Sequence, residues 1–164
     1  MKLNDNFFLR EAINESRKSV ENGGDPFGSI LVKNNKIVAR SGDYCVKQSD
    51  PTRHAELSLI SDYCQSNKVF SLRGYVLYSS TEPCIMCAGS IHWAKLSKVV
   101  FALSQSSLKT VSGGNPKPTL NKLLSYGGKK TEVIGPLLEK EALEVFKTSN
   151  LEPKIIRHKK IIWS

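Results

Sequence analysis

The sequence predicts an α/β fold with helices packed on a mixed sheet, and three observations carry that prediction. A chain of 164 residues with 40% hydrophobic content has the length of one domain and apolar material for one core. Ser29-Ile30-Leu31-Val32 and Lys36-Ile37-Val38-Ala39-Arg40 are β-rich runs on either side of Asn34-Asn35, a hairpin signature. Beyond that hairpin, helical patterns alternate with single strands, which layers helices onto a sheet.

Taken in order, Phe8, Leu9, Ala12, Ile13 and Val20 recur at helical spacing behind Asn4 and Asp5 as caps, and Asn22-Gly23-Gly24 ends the pattern. After the hairpin, Ser41 to Pro51 reads as a loop. Thr52 is placed to cap a helix that carries Ala55, Leu59, Ile60, Tyr63 and Cys64 and stops near Asn67. Tyr75 to Ser79 is a strand, and Pro83 sits where the next helix begins, with Ile85, Ala88, Ile91 and Trp93 continuing it. Lys98 to Leu103 is another strand. Ser104 to Pro118 is rich in Ser, Gly and Pro without apolar periodicity and reads as a long loop serving a site or an interface. A short helix over Leu120 to Ser125, a last strand at Glu132-Val133-Ile134 and a helix from Pro136 to Phe146 complete the chain.

No apolar stretch approaches the ~20 residues that a membrane helix needs, so no membrane role is expected. Met1 to Asn6 lacks the charged and apolar segments of a leader, and the expected location is the cytoplasm. Lys plus Arg exceed Asp plus Glu by 24 to 15, a net charge of +9 that would help attract a polyanion. The basic residues are scattered, however, with short clusters only at Lys129-Lys130 and Arg157-His158-Lys159-Lys160. Four cysteines stand at 45, 64, 84 and 87, and a Cys-x-x-Cys pair in a reducing compartment argues for metal or redox chemistry.

The chemistry is concentrated in His54-Ala55-Glu56 and Pro83-Cys84-Ile85-Met86-Cys87, each at the start of a predicted helix. Catalytic zinc takes three protein ligands, Cys2His sets among them, and keeps a fourth position for water. His54, Cys84 and Cys87 supply that set. Side chains in a first turn tilt toward the amino terminus, so His54 and Glu56 can both reach a point beyond that helix end. Two facing helix amino termini present partial positive charge, which favours thiolates. Zinc lowers the pKa of its water to about 7, and Glu56, as a non-ligand, can carry the proton to a ring nitrogen and then to a leaving amine.

Each motif alone has a plainer explanation. A lone His-x-Glu is usually an exposed helix start, and a lone Cys-x-x-Cys is a structural zinc half-site, a redox pair or two small buried hydrophobes. Their joint placement at helix starts is what distinguishes them. Cys45 and Cys64 lack partners at ligand spacing, so Cys64 is read as core and Cys45 as a loop thiol. His92 and His158 are read as structural too.

Histidine-x-glutamate followed by Pro-Cys-x-x-Cys resembles the signature of zinc-dependent nucleobase deaminases, the cytidine/deoxycytidylate deaminase superfamily. The resemblance extends through Asp25-Pro26-Phe27-Gly28, Asp50-Pro51-Thr52-Arg53-His54-Ala55-Glu56 and Glu82-Pro83-Cys84-Ile85-Met86-Cys87-Ala88-Gly89, over roughly residues 5 to 103. It implies a cytidine-deaminase-like three-layer fold, with a five-stranded mixed sheet packed between helices. It also implies one deaminase domain over residues 1–164, one zinc per chain, hydrolytic release of ammonia and a homodimer.

Two subgroups look closest, the guanine deaminases and the tRNA adenosine deaminases. Pro26-Phe27-Gly28 and Ile91-His92-Trp93-Ala94 are similar to the guanine-deaminase type, whose aromatic residues line the base pocket, which makes Phe27 and Trp93 candidate walls for a flat heterocycle. Ordinary core packing is the alternative for both. Ser104 to Thr119 lacks the Gly-Ala-Gly-Ser pattern associated with the tRNA subgroup, whereas the basic charge and Lys159-Lys160 favour it. Relatives commonly carry an Asn 13 residues before the motif glutamate, where this chain has Asp43. An ionised Asp only accepts hydrogen bonds, so a substrate there must offer donors such as guanine's N1–H and amino group. The alternative is a solvated loop acid beside Gly42. The first expectation is therefore a purine-metabolism enzyme that deaminates a small guanine-like base or nucleoside. The second is a tRNA-specific adenosine deaminase forming inosine, and the third a structural-zinc binding module without catalysis.

Overall fold

The structure is a computed structural model that describes residues 4–113, 117–128 and 130–149. Its five strands are β1 (Gly28–Lys33), β2 (Lys36–Gly42), β3 (Val76–Thr81), β4 (Lys98–Leu103) and β5 (Glu132–Ile134), in the spatial order β2-β1-β3-β4-β5. β1 pairs antiparallel with β2 and β3, while β3, β4 and β5 run parallel, so the sheet is mixed. The β1–β2 hairpin turns on Asn34 and Asn35, both at positive φ (50° and 59°), the two-residue turn whose twist matches that of its strands.

Strand side chains alternate between two cores, as the period of two requires. Ile30, Val32, Tyr78, Val100 and Ala102 face helices α1 (Asp5–Glu21) and α7 (Glu139–Thr148), meeting Phe8, Leu9, Ala12, Ile13, Ala142 and Val145. Leu31, Leu77 and Val99 face α3 (Ala55–Asn67), α4 (Ile85–Trp93) and α6 (Leu120–Ser125), meeting Leu59, Ile60, Ala88, Ile91, Leu120 and Leu124. The result is the expected sheet between two helical layers. Asn4 caps α1 by accepting from the Phe7 N–H at 3.1 Å, and Asp5 fixes that end to the sheet through the Tyr78 hydroxyl (2.6 Å) and Lys98 (3.1 Å).

Four expectations are corrected. The segment read as a loop from Ser41 contains the end of β2 and one helical turn, α2 (Cys45–Gln48), which buries no side chain and therefore left no apolar pattern. Thr52 does not cap α3; its N–H and hydroxyl both go to Asp50 Oδ1, and His54 is the N-cap. The stretch read as a long loop from Ser104 contains α5 (Gln105–Ser112), started by Ser104 accepting from Ser107 N–H; Leu108 is its one buried apolar side chain, too few to show a period. The last helix begins at Glu139 rather than Pro136, after Leu138 in the left-handed region. Lys129 and the Arg157–Lys160 cluster lie outside the described residues, and among those described no helix is long and apolar enough to cross a membrane.

Glu82, at the end of β3, joins two later elements to the sheet. It is 5% exposed, and its carboxylate accepts from the first N–H of α5 (Gln105, 3.0 Å) and of α6 (Leu120, 2.7 Å). Two buried helix starts thus share one acid. Glu82→Ala should lower the free energy of unfolding by roughly 2–4 kcal/mol, because each orphaned donor costs about 1–2 kcal/mol, and Glu82→Gln should lose about half of that. Chemical denaturation of the two variants measures this; an alanine variant as stable as the parent would show that water replaces the carboxylate.

Candidate metal centre and active site

The two motifs meet because each occupies the N-cap of a helix whose first turn points at the other. His54 is the N-cap of α3 and Cys84 that of α4; both have extended backbone, and neither side chain caps its own helix. Their side chains are thereby left for a shared target. His54 Nδ1 lies 3.5 Å from Cys84 Sγ and 3.8 Å from Cys87 Sγ, and the two sulfurs are 3.7 Å apart.

Those three edges test whether a metal fits. Tetrahedral zinc with Zn–S near 2.3 Å and Zn–N near 2.0–2.1 Å needs edges of about 3.8 Å between sulfurs and about 3.6 Å from sulfur to nitrogen. The observed triangle matches within about 0.2 Å, the tolerance for a real site. His54, Cys84 and Cys87 could therefore hold zinc without rearranging. All four cysteines of the chain are free thiols, so none is lost to a disulfide.

Glu56 lies in the first turn of α3, 5% exposed, beside this triangle. Its Oε1 accepts from the Ser79 hydroxyl of β3 at 2.6 Å and its Oε2 from the Cys87 thiol at 3.4 Å. Burial pushes the Glu56 carboxyl up from the ordinary range, and the Ser79 hydrogen bond opposes that rise. The sulfur–sulfur contact pulls the Cys84 thiol down, aided by His54, while the same contact, burial and the nearby Glu56 push Cys87 up.

Asp43 is brought to this end of the molecule as well. It is 3% exposed, and its carboxylate accepts from the Cys45 N–H at 3.1 Å and from the Cys45 thiol at 3.6 Å. Donor atoms of Asp43, Cys45 and His54 lie within 4.8 Å of one another, so Asp43 adjoins the metal triangle through the imidazole. The loop is held there from behind: Asp43 N–H donates to Ser19 Oγ (3.1 Å), and Tyr44 N–H donates to the carbonyl of Arg53, the residue before His54.

The two aromatic candidates differ in placement. Phe27 packs against the α1/α7 core with its ring edge-on to Phe146, centroids 5.5 Å apart. Trp93 is 78% exposed at the far end of α4, about 14 Å along the helix axis from Cys84. Two residues that the motifs did not reveal belong to the site instead. Ser79 steadies Glu56, and its signal was the polar run Ser79-Ser80-Thr81 closing a strand that is otherwise apolar and buried. Cys45, read as a loop thiol, contacts Asp43 two residues before it and comes near His54, and it is the approach to His54 that no local spacing announced.

Comparison with known proteins agrees with this geometry. Residues 2–103 match the cytidine and deoxycytidylate deaminase zinc-binding region. The chain is 36% identical over 141 residues to a probable cytosine deaminase of Schizosaccharomyces pombe, covering 83% of this chain and 86% of that one. It is 33% identical over 139 residues to a tRNA-specific adenosine deaminase of Bacillus subtilis, covering 84% and 83%. The crystal structure of guanine deaminase from Bacillus subtilis superposes with a TM-score of 0.65 at 33% identity, over 70% of this chain and 73% of that one. A sheet of the same kind, a donor triangle of zinc dimensions and these similarities together establish that the chain belongs to the cytidine and deoxycytidylate deaminase family and is a zinc-binding deaminase.

Proposed function

We propose that residues 1–164 form one deaminase domain that hydrolyses an amino group from a guanine-like purine base or nucleoside, with His54, Cys84 and Cys87 holding one zinc and Glu56 moving the protons. The observation that carries the proton role is a buried carboxylate, held by Ser79, beside a triangle of three donor residues, the number with which catalytic zinc keeps a fourth position for water. Bound zinc supplies an acidified water. Glu56 would take one proton from that water and give it to a ring nitrogen of the base, then take the second from the added hydroxyl and give it to the departing amine. The ring carbon gains oxygen as ammonia leaves, which balances the hydrolysis. Burial favours the protonated form of Glu56, which is the form that must donate to the amine.

Asp43 supports the substrate reading. A buried carboxylate that already takes two donors from Cys45 retains lone pairs only, so it suits guanine's N1–H and disfavours a base that offers an acceptor there. Trp93, exposed at the far end of α4, is left out of the proposed pocket, while Phe27, edge-on to Phe146, stays a candidate wall on the resemblance alone. A homodimer in the cytoplasm remains the family-based expectation. The second reading is a tRNA-specific adenosine deaminase, favoured by the net charge of +9 and by the similarity to the bacterial relative of that name.

Three outcomes test this. Glu56→Gln should retain one zinc per chain by metal analysis while ammonia release falls by roughly 10²–10⁴; loss of zinc in that variant would instead make Glu56 a ligand. Cys84→Ala and Cys87→Ala should each lose stoichiometric zinc and melt at a lower temperature; full zinc content in either would displace that sulfur from the site. Ammonia release from guanine, guanosine, adenine, cytosine and tRNA at fixed salt should rank a guanine-like base first and change rank in Asp43→Asn. Salt-sensitive inosine formation in tRNA, without turnover of the free bases, would establish the second reading.

A further inference from the structure

At the end of α4 opposite the cysteine pair, a cavity of about 470 Å³ opens beneath the turn that follows Trp93, a size within the range of small-molecule sites. Three hydrogen bonds to backbone carbonyls tie together the segments around it. Leu72 N–H donates to the Ala94 carbonyl (2.7 Å), Leu96 N–H to the Ile91 carbonyl (3.2 Å) and the Thr131 hydroxyl to the Leu96 carbonyl (2.8 Å). Gly127 presses on the opposite wall so closely that a Cβ there would come within 2.5 Å of His92 Nδ1.

Three cations, Arg73, Lys95 and Lys130, line this cavity, and no carboxylate is among its described lining residues. Among the described residues, none of the three enters an ion pair. The helix carbonyl end accounts for Lys95, since cations are favoured there. Arg73 and Lys130 come from other segments, before β3 and before β5, and have no such reason to converge. Trp93 lines the same cavity with 78% of its surface exposed, a flat apolar face beside unneutralised positive charge.

We propose that this cavity is a second binding site, separate from the metal centre, for a phosphorylated nucleotide. Its phosphate meets Arg73, Lys95 and Lys130, and its base stacks on Trp93. Cations alone would suit any anion and an aromatic alone any planar ring; the combination selects a molecule that carries both. The site rests on no part of the deamination reading, because none of its residues touches the metal triangle.

Calorimetric titration of the full chain at low salt tests it with four probes: GMP, guanosine, inorganic phosphate and a short single-stranded oligoribonucleotide. GMP should bind saturably in a component that charge reversal at Arg73 or Lys130 removes, and in that component guanosine and phosphate should each be at least about tenfold weaker; guanosine binding that persists in those variants belongs to the metal centre. Arg73→Glu and Lys130→Glu should each weaken GMP about tenfold or more, and Trp93→Ala about tenfold, with melting temperatures and ammonia release unchanged. That last readout separates failure here from failure of the deaminase assignment. Tighter binding by the oligoribonucleotide, lost in the same variants, identifies a nucleotide unit within an RNA strand as the ligand; equal or weaker binding identifies a free nucleotide. The proposal is overturned if neither GMP nor the oligoribonucleotide saturates, if phosphate binds as tightly as GMP, or if the charge reversals leave affinity unchanged.

Discussion

The site depends on two helix N-caps that decline to cap. A side chain at that position ordinarily accepts from its own helix, which is worth about 1 kcal/mol. Here His54 and Cys84 occupy the two caps and project toward each other instead, leaving both first turns without that help. The positive ends of the helices are turned toward the same point, where negatively charged sulfur is stabilised. What each helix loses in capping is offset once anionic ligands and a cation assemble between them, so metal content and fold stability are linked in this chain.

The sheet explains why the two caps face each other. α3 lies against the same sheet face as α4, and the strand between them in sequence, β3, runs up the middle of the sheet and delivers Cys84 three residues after its last member. The same strand end carries Ser79, which orients Glu56, and Glu82, which anchors α5 and α6. Four consecutive residues from Ser79 to Glu82 are all buried and polar. In a central strand such a run is an expense unless each member has a task, and at least two of them have one that reaches another element.

The strands were legible from the sequence because each buried strand is short, apolar and bounded by turn residues, and Asn34-Asn35 fixed the hairpin outright. The metal donors were legible because helix starts can be located locally and each motif sits at one. What local pattern could not show was contact across the fold. Cys45 lies in a one-turn helix with no buried side chain, so only the folding of its loop against the Arg53 carbonyl reveals its place near His54. Phe27 and Trp93 had the right residue type for a base pocket; their directions are decided by Phe146 and by the length of α4, neither of which is a local property. α5 escaped notice because a helix held by an acid from a distant strand needs little hydrophobic periodicity of its own.

The tether at Glu82 has an evolutionary corollary. Because one carboxylate fastens the beginnings of both α5 and α6, the chain joining them is a span with two fixed moorings. The placement of the two helix starts is thus set by β3 and not by the number of residues that join them, and the cysteine pair on α4 takes no part in that anchoring. A lineage could change the length of that connection without reinventing the chemistry of the cysteine pair.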